Sequence, residues 1–323
     1  MSLSVWPPVP PHQLAEKAAQ SLDNELRWFI DETLKKCQEL KHGLEDCYAL
    51  LAPIDPGSTL VMSTSRSERV KGTITRVGTR IVKGSLNLQL KTIPAQTINL
   101  SPNHDIHIQP LEQLHTNLTQ AIDLLGLTVS DSSPTSSAAE TASKLSSTLS
   151  LLSDSIAEST SLLKGPASSE GWQTSSCAPH LFSPELPPTI SFYLAVEQCA
   201  IVLYLRALEP VDAPVHIGLK LGLALGTFRR LEHDEMDRVF TYNPSGESEA
   251  DNKRHGGHYH HNAPASTKSH NKGMEDVYVR EKVRIETGDP SLISLYSKLG
   301  YLSVMLAEAK TNLAAVMGID TIE

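Results

Sequence analysis

The sequence predicts an α+β fold in which an elongated antiparallel bundle of four to five helices is joined to a smaller antiparallel β domain. Over long segments near both ends of the chain and in its middle, apolar residues recur at alternating spacings of three and four. Several short stretches between them change to a period of two, and their turns are too short for parallel crossovers. Strands come early and late, so each domain must be assembled from separate pieces of the chain.

The first long helix is predicted from about His12 to Leu51. A seam of regularly spaced residues runs along it: Leu26, Phe29, Thr33, Cys37, Leu40, Leu44, Cys47 and Leu51. Spacings of three and four are typical of a coiled-coil-like bundle helix. Pro53 and Pro56-Gly57 end the helix. Residues 1–11, which precede it, are proline-rich and are expected to be extended.

The following segment changes to a period of two and is predicted to form an antiparallel ribbon. Its predicted strands are Thr59–Met62, Arg69–Val77, Arg80–Lys91, Ile98–Leu100 and Ile106–Ile108. A tight turn is expected at Gly78-Thr79, and Gly72 and Gly84 inside the hairpin suggest β-bulges. One face of this ribbon should be buried and the other should contact water.

Helical spacing returns in three further segments. They are 111–125 after Pro110, 145–163 after a serine-rich loop at 129–137, and 292–316 after Gly288-Asp289-Pro290. In the last of these, leucines and other apolar residues alternate three and four without a slip. Two more strands are predicted, at Val239–Tyr242 and at Val277–Glu286, where apolar and charged residues alternate.

The segment Thr189–Leu208 is apolar on nearly every side and is predicted to be the central helix of the bundle. A helix without a polar face must be surrounded. Its length would suffice for a bilayer, but Glu197 and Gln198 lie near its middle. A carboxylate at that depth costs about 2.5–3.5 kcal/mol. A protein-enclosed helix, bounded by Pro187-Pro188 and Pro210, is therefore favoured over a membrane span.

Residues 216–231 carry two conflicting patterns. Gly218, Gly222 and Gly226 have the spacing that lets helices approach closely, whereas the leucines between them alternate as in a strand. Three interior glycines disfavour a free helix, so an extended segment is predicted.

These elements define two predicted domains. Residues 12–52, 110–210 and 289–318 form the helical bundle domain. Residues 57–109 and 215–288 form the β domain, with a disordered, low-complexity insertion at about 243–273.

Composition narrows the possible functions of the chain. Of 323 residues, 40% are hydrophobic and only 5% are aromatic, so aliphatic side chains must fill the core. A net charge of −9 argues against broad binding to nucleic acid or anionic membranes. The four cysteines show no CxxC pair or metal spacing, which indicates buried thiols in a reducing compartment. The N-terminus shows no secretory signal, so a cytosolic or peripheral protein is expected.

A histidine cluster lies in the predicted insertion and comprises His255, His258, His260, His261 and His270. Imidazoles at this density can bind Zn, Ni or Cu. The surrounding sequence is typical of a disordered loop, and no cysteine or carboxylate has structural-zinc spacing. We therefore predict no metal site and no cofactor, and keep a metal-dependent enzyme or carrier as an alternative.

The sequence gives little support for a catalytic function, and no catalytic residues are predicted. There is no GxSxG or HExxH sequence. The adjacent carboxylates Asp31-Glu32, Glu45-Asp46 and Asp234-Glu235 are expected to be solvated. Glu197 and Glu281 lie on apolar faces and are expected to pair with a buried Arg or Tyr. A DNA-binding zipper is disfavoured because no basic helix continues into the last leucine repeat.

Two segments and the order of elements resemble the Rogdi family, the small subunit of the RAVE assembly factor for the vacuolar proton-pumping ATPase. The segments are VKGTITRVGTRIVKGSLNLQLK at 70–91 and LFSPELPPTISFYLAVEQCAIVLYLRALEP at 181–210. The N-terminal ELRWFIDETLKK and the final leucine-repeat helix fit the same template. The 243–273 insertion departs from compact members of that family.

This resemblance implies a leucine-zipper-like helical domain joined to a β domain, without enzymatic activity. It also implies an adaptor in assembly of the vacuolar ATPase that binds a large β-propeller-bearing subunit and pump subunits. Such a protein would be cytoplasmic and recruited peripherally to vacuolar or endosomal membranes. The alternative is a helical adaptor in membrane tethering or trafficking unrelated to the pump.

Overall fold

The computed structural model describes residues 10–64, 69–130, 137–166, 176–212, 238–242 and 275–318. The predictions for 216–231 and for the histidine-containing insertion lie outside these ranges. Four α-helices occur in the described residues: α1 (Leu14–Ala49), α2 (Gln109–Ser130), α3 (Ala138–Lys164) and α4 (Pro290–Val316). Together with two antiparallel sheets, they confirm the predicted α+β class.

The early strands form a five-stranded antiparallel sheet. They are β1 (Ser58–Ser63), β2 (Val70–Val77), β3 (Arg80–Leu88), β4 (Gln96–Asn99) and β5 (Ile106–His107). Strands β1 to β4 pair in sequence order, and β5 also pairs with β3. All five lie where the period of two predicted them.

The late strands form a second sheet of four strands. They are β6 (Ile190–Glu197), β7 (Ala200–Pro210), β8 (Val239–Tyr242) and β9 (Glu275–Gly288). Their order in the sheet is β6-β7-β9-β8, and all pairs are antiparallel.

The chain divides into two compact units. Within the described residues, the helical unit comprises 10–50, 114–130, 137–160 and 294–318. The β unit comprises 51–64, 69–113, 161–166, 176–212, 238–242 and 275–293. Each unit is thus built from pieces that are far apart in sequence.

The helical unit buries most of the predicted seams, although Leu26 and Phe29 of the α1 seam are only partly buried. In α1 the buried residues are Ile30, Thr33, Cys37, Leu40, Leu44 and Cys47. Helix α4 packs antiparallel to α1, because Lys298 Nζ contacts Asp46 Oδ2 at 2.8 Å and Leu302 lies against Gly43. A Cβ at Gly43 would lie 2.4 Å from Leu302 Cδ2, so the glycine gives this leucine side chain room against α1.

The prediction of a central helix at Thr189–Leu208 was wrong, because this segment is the hairpin of β6 and β7. Strand β7 lies inside the second sheet, and every residue from Ala200 to Leu208 is buried. A strand covered on both faces is apolar at successive positions, as a fully enclosed helix also is. Residues 190–210 therefore belong to the β unit and not to the bundle.

The turn of this hairpin consists of Gln198 and Cys199, both with positive φ (50° and 62°). Two-residue hairpin turns of this kind normally favour Asn-Gly. Here the backbone N–H of Gln198 donates to Lys164 O at 3.0 Å, and that of Cys199 donates to Leu163 O at 2.9 Å. The turn therefore satisfies carbonyl groups at the C-terminus of α3 that no further helical turn could satisfy.

The bulges predicted at Gly72 and Gly84 are not at those positions. The register of β2 and β3 shifts between Thr75 and Arg76 instead. Gly72 is needed for a different reason, because a Cβ there would lie 2.0 Å from Ser85 O on the neighbouring strand. Gly72 therefore allows the two strands to approach closely, and it does not mark a β-bulge.

The apolar faces of the two sheets pack against each other. Ile74, Ile81 and Leu86 of the first sheet and Phe192 and Leu194 of the second line a shared, almost wholly apolar cavity. Its volume of about 10 Å³ has room for at most one water molecule. The space between these sheets is thus a packed core and not a ligand site.

A buried ion pair joins the first sheet to the start of α4. Arg76 Nε donates to Asp289 Oδ2 at 2.5 Å, and both side chains are almost completely buried. The Arg76 guanidinium also donates to Gly78 O. The other carboxylate oxygen, Asp289 Oδ1, accepts the backbone N–H of Ser291 at 2.9 Å. Asp289 is therefore both a helix cap and the anion for a buried guanidinium.

Asp289→Asn should lower the free energy of unfolding by about 3–5 kcal/mol. Asparagine still caps a helix, but Arg76 would be left buried without an anion. Urea denaturation followed by circular dichroism measures the loss. The matched control is Asp46→Asn, the same chemical change at the exposed pair with Lys298, for which a much smaller loss is expected. Equal losses in the two variants would contradict this role of Asp289.

Replacing Gln198 by asparagine and Cys199 by glycine (Q198N/C199G) should raise the free energy of unfolding by roughly 1 kcal/mol, because asparagine and glycine tolerate positive φ. Gln198→Pro should lower it, because proline excludes positive φ and removes the N–H that the Lys164 carbonyl accepts. Thermal unfolding of the full chain compares the two. Destabilisation by Q198N/C199G would show that the native side chains matter more than turn conformation.

Candidate functional surfaces

Glu197, which the sequence singled out, lies in a hydrogen-bonded network at the end of β6. Its Oε1 accepts the Tyr204 hydroxyl at 2.5 Å, and its Oε2 accepts Arg284 Nη2 at 2.9 Å. Arg284 Nε also donates to the Tyr204 hydroxyl at 3.3 Å, and a further Arg284 nitrogen donates to Glu286. The predicted pairing of Glu197 with Arg and Tyr is confirmed, and it links three neighbouring strands.

The ionisation of this network is fixed by its own contacts. Burial, followed by the hydrogen bond to Glu197, raises the pKa of Tyr204. Partial burial disfavours the charge of Arg284, but hydrogen bonds to Glu197, Tyr204 and Glu286 outweigh it and raise the pKa of that guanidinium. The network therefore holds a neutral phenol and a charged guanidinium, which is a stable cross-strand arrangement.

Glu281, the second carboxylate singled out, is buried on β9 and is also used by the fold. Its Oε2 accepts the backbone N–H groups of Lys91 and Thr92 at 2.7 and 3.2 Å. Its Oε1 lies 3.4 Å from Arg69 Nη1. Glu281 thereby fastens the chain that follows β3 to the second sheet, and it pairs with an arginine as expected.

The adjacent carboxylate pairs lie on exposed parts of α1 where the structure describes them. Glu32 contacts Lys35 at 3.2 Å, Glu45 contacts His42 at 3.1 Å, and Asp46 contacts Lys298. Exposed pairs of this kind contribute little to stability. Asp234-Glu235 and the histidine cluster lie outside the described residues. Within the described ranges, no group of His, Cys, Asp or Glu side chains is arranged to hold a metal ion.

The four cysteines are free thiols. Cys37, Cys47 and Cys199 are buried, and Cys177 is partly buried beside β6. Burial raises the pKa of Cys37 and Cys47 to about 11 and that of Cys177 to about 12. These thiols stay protonated near neutral pH, and a protonated thiol is a poor nucleophile.

No helix in the described part of the chain is long and apolar enough to cross a bilayer. The one segment whose length and apolarity raised that possibility, Thr189–Leu208, is folded as two strands.

One exposed surface of the helical unit is the outer face of α4. Apart from Lys298, which pairs with Asp46 of α1, its exposed residues from 294 to 307 carry no charge: Ser294, Ser297, Gly300, Tyr301, Ser303, Val304 and Ala307. Tyr301 and Val304 are 69% and 70% exposed. A helix with apolar residues on both faces is normally covered on both. This face is therefore a candidate contact surface.

A second exposed surface is the N-terminal part of α1. Every residue from Leu14 to Glu25 is exposed, and Leu22 is 63% exposed. The spacing of three and four nevertheless continues through Ala15, Ala19, Leu22 and Leu26. The seam of the bundle thus extends beyond the part of α1 that other helices cover. Sequence reasoning missed this surface, because it depends on where the neighbouring helices end.

The chain was compared with known proteins. A family model described as Rogdi leucine zipper containing protein matches residues 25–314. This range includes all nine strands, α2 and α3 in full, and most of α1 and α4. No curated protein matches the chain at a significant level. The match confirms the resemblance that the two quoted segments indicated.

At pH 8, Cys37, Cys47 and Cys177 of the native protein should react with iodoacetamide far more slowly than in urea. With a pKa of about 11, only about one thiol in a thousand is ionised at that pH. Mass spectrometry of the alkylated peptides follows each site. Equal rates in native and unfolded protein would contradict the burial of these thiols.

The same pKa shifts predict the pH dependence of stability. Because the folded thiols have a higher pKa than the unfolded ones, their contribution to the free energy of unfolding should be constant below about pH 8.5 and fall as the pH rises toward 11. Each thiol contributes at most about 1.4 kcal/mol per pH unit. Cys37→Ala should reduce this slope. A free energy that rises over this range would be incompatible with the shifts.

Proposed function

The chain belongs to the Rogdi leucine-zipper family, and on that basis we propose that it is a non-catalytic subunit of a RAVE-like complex that promotes assembly of the vacuolar proton-pumping ATPase. In this role it binds a large β-propeller-bearing subunit and subunits of the pump. It acts from the cytoplasm and is recruited peripherally to vacuolar or endosomal membranes.

The family match over residues 25–314 carries this proposal. The chemistry of the described residues is compatible with it. Glu197 and Glu281 are hydrogen-bonded to groups of the fold itself, and three of the thiols are held protonated. The uncharged face of α4 and the N-terminal part of α1, in contrast, are open to a partner. An adaptor requires such surfaces and does not require a reaction centre.

The alternative is an adaptor in membrane tethering or trafficking that does not act on the pump. The same helical surfaces would serve it, so the two functions differ in partners and in cellular effect. Loss of the protein should raise vacuolar pH under the first function. Under the second, vacuolar pH stays normal and cargo sorting fails.

Affinity capture of the tagged full chain from its own cells should recover subunits of the pump's catalytic sector and a β-propeller protein. The chain is expressed at its natural level, and recovery is quantified against an untagged strain. In a strain without the protein, less of the catalytic sector should be attached to membranes, and vacuolar pH should rise. Recovery of neither class of protein, with normal acidification, would contradict the proposal.

A variant that lacks residues 244–272 provides the control for the metal alternative. An adaptor that works through its folded surfaces should keep pump assembly without the histidine cluster. Loss of function in this variant, restored by adding a metal-binding loop of unrelated sequence, would instead support a metal-dependent protein.

A further inference from the structure

The exposed N-terminal part of α1 continues the apolar spacing of the bundle, but no other described helix covers it. From Ile30 to Cys47 the seam residues are buried. The same spacing continues toward the N-terminus through Leu26, which is partly buried, and then through Leu22, Ala19 and Ala15, which are exposed. The apolar stripe and the helix therefore both extend past the point where burial stops.

Helices α4 and α2 end before this segment begins. Leu302 of α4 lies against Gly43 of α1, and the helices are antiparallel. Since both rise about 1.5 Å per residue, the end of α4 at Val316 comes level with about residue 29 of α1. Helix α2 reaches less far, because Gly126 lies near Lys41 and the helix ends at Ser130. About three turns of α1 project without a neighbour among the described helices.

A projecting helix of this length has little intrinsic stability in water. Its composition suits contact with another helix. Ala15 and Ala19 allow close approach, and Leu22 and Leu26 provide side chains that a partner can cover. Burial of an exposed leucine stabilises an association by the hydrophobic effect. The stripe thus matches an apolar helix that carries large side chains opposite the two alanines.

Acidic residues flank the stripe on both sides. At about 100° per residue, Glu16 and Asp23 lie on one side, and Glu25 and Glu32 lie on the other. Arg27 pairs with Asp23 and Lys35 with Glu32. Glu16 and Glu25 contact no cation among the described residues. The flanks therefore favour a partner with lysine or arginine beside its own apolar stripe.

A second copy of this chain does not fit these flanks. In a parallel pair of α1 helices, the left flank of one apolar stripe faces the right flank of the other. Both flanks are acidic, so carboxylates would face carboxylates. In an antiparallel pair, each side faces its own equivalent, and acids meet acids again. Like charges at such positions destabilise an association. An anionic membrane surface is disfavoured for the same reason.

We propose that residues 14–26 of α1 are a docking site for an amphipathic helix of a different protein, with an apolar stripe flanked by lysine and arginine. The bound helix continues the bundle along α1 beyond the end of α4. Most of this segment precedes Glu25, where the family match begins. The docking site is therefore a feature of this chain in addition to the proposed function, and each can fail without the other.

Photocrosslinking in cells tests the occupant directly. p-Benzoylphenylalanine is introduced at Leu22 in the full-length chain, and at Asn24 as the matched control, since Asn24 is exposed on the opposite side of the helix. Position 22 should give at least about fivefold more crosslinked protein than position 24. The crosslinked peptide should have apolar residues spaced three and four with a net positive charge beside them. A crosslink to a second copy, to lipid alone, to a peptide without this pattern, or to nothing overturns the proposal.

Leu22→Lys and Asn24→Lys then test the energetics with the same new side chain on opposite faces. Leu22→Lys should reduce recovery of the crosslinking partner at least about tenfold, and Asn24→Lys should leave it unchanged. Neither should shift the thermal unfolding midpoint, because both residues are exposed. Recovery should also fall as salt concentration rises. Any of three outcomes would refute the assignment. Leu22→Lys could leave recovery of the partner unchanged, both variants could lose the partner equally, or the wild-type chain could bind phosphatidylserine vesicles in a way that Leu22→Lys abolishes.

Discussion

The buried contact between Arg76 and Asp289 is the constraint on which the arrangement of the β unit depends. A guanidinium and a carboxylate that are both removed from water are stable only when they remain together. One lies at the end of β2 and the other at the junction of β9 and α4, so the contact brings the early and late parts of the chain into one unit. Because Asp289 also caps α4, the first turn of that helix is fixed to the first sheet.

Helix α3 shows the same use of polar backbone groups at an element boundary. Its terminal carbonyl groups accept the N–H groups of the Gln198-Cys199 turn, and Gly165 follows with a φ of 81°. A Cβ at Gly165 would lie 2.6 Å from Val196 O, so only glycine allows the hairpin to approach this closely. In both places, an unsatisfied end of one element is satisfied by a group far away in sequence.

The spacing of apolar residues correctly predicted those helices and strands that have one buried and one solvent-exposed face. The seams of α1, α3 and α4 and the alternation in β9 each separate buried from exposed residues, so the pattern specified the element. Thr189–Leu208 had no such contrast, because β7 is covered on both faces. Two features of the segment did indicate two strands and a turn. It is rich in isoleucine, valine, phenylalanine and tyrosine, and the polar Glu197-Gln198 lies at its middle. The pairing of Arg76 with Asp289, 213 residues apart, leaves no local pattern. The same is true of the projecting part of α1, which is defined by where its neighbours end.

The discontinuity of the helical unit has a consequence for biosynthesis. The four-helix packing needs α4, which is translated only after the whole β unit. A nascent chain that has left the ribosome as far as β9 thus exposes the apolar faces of its earlier helices to solvent, and holdase chaperones recognise such surfaces. A premature stop codon before residue 290 would remove α4 from the bundle, and the shortened polypeptide would be a substrate for quality-control degradation.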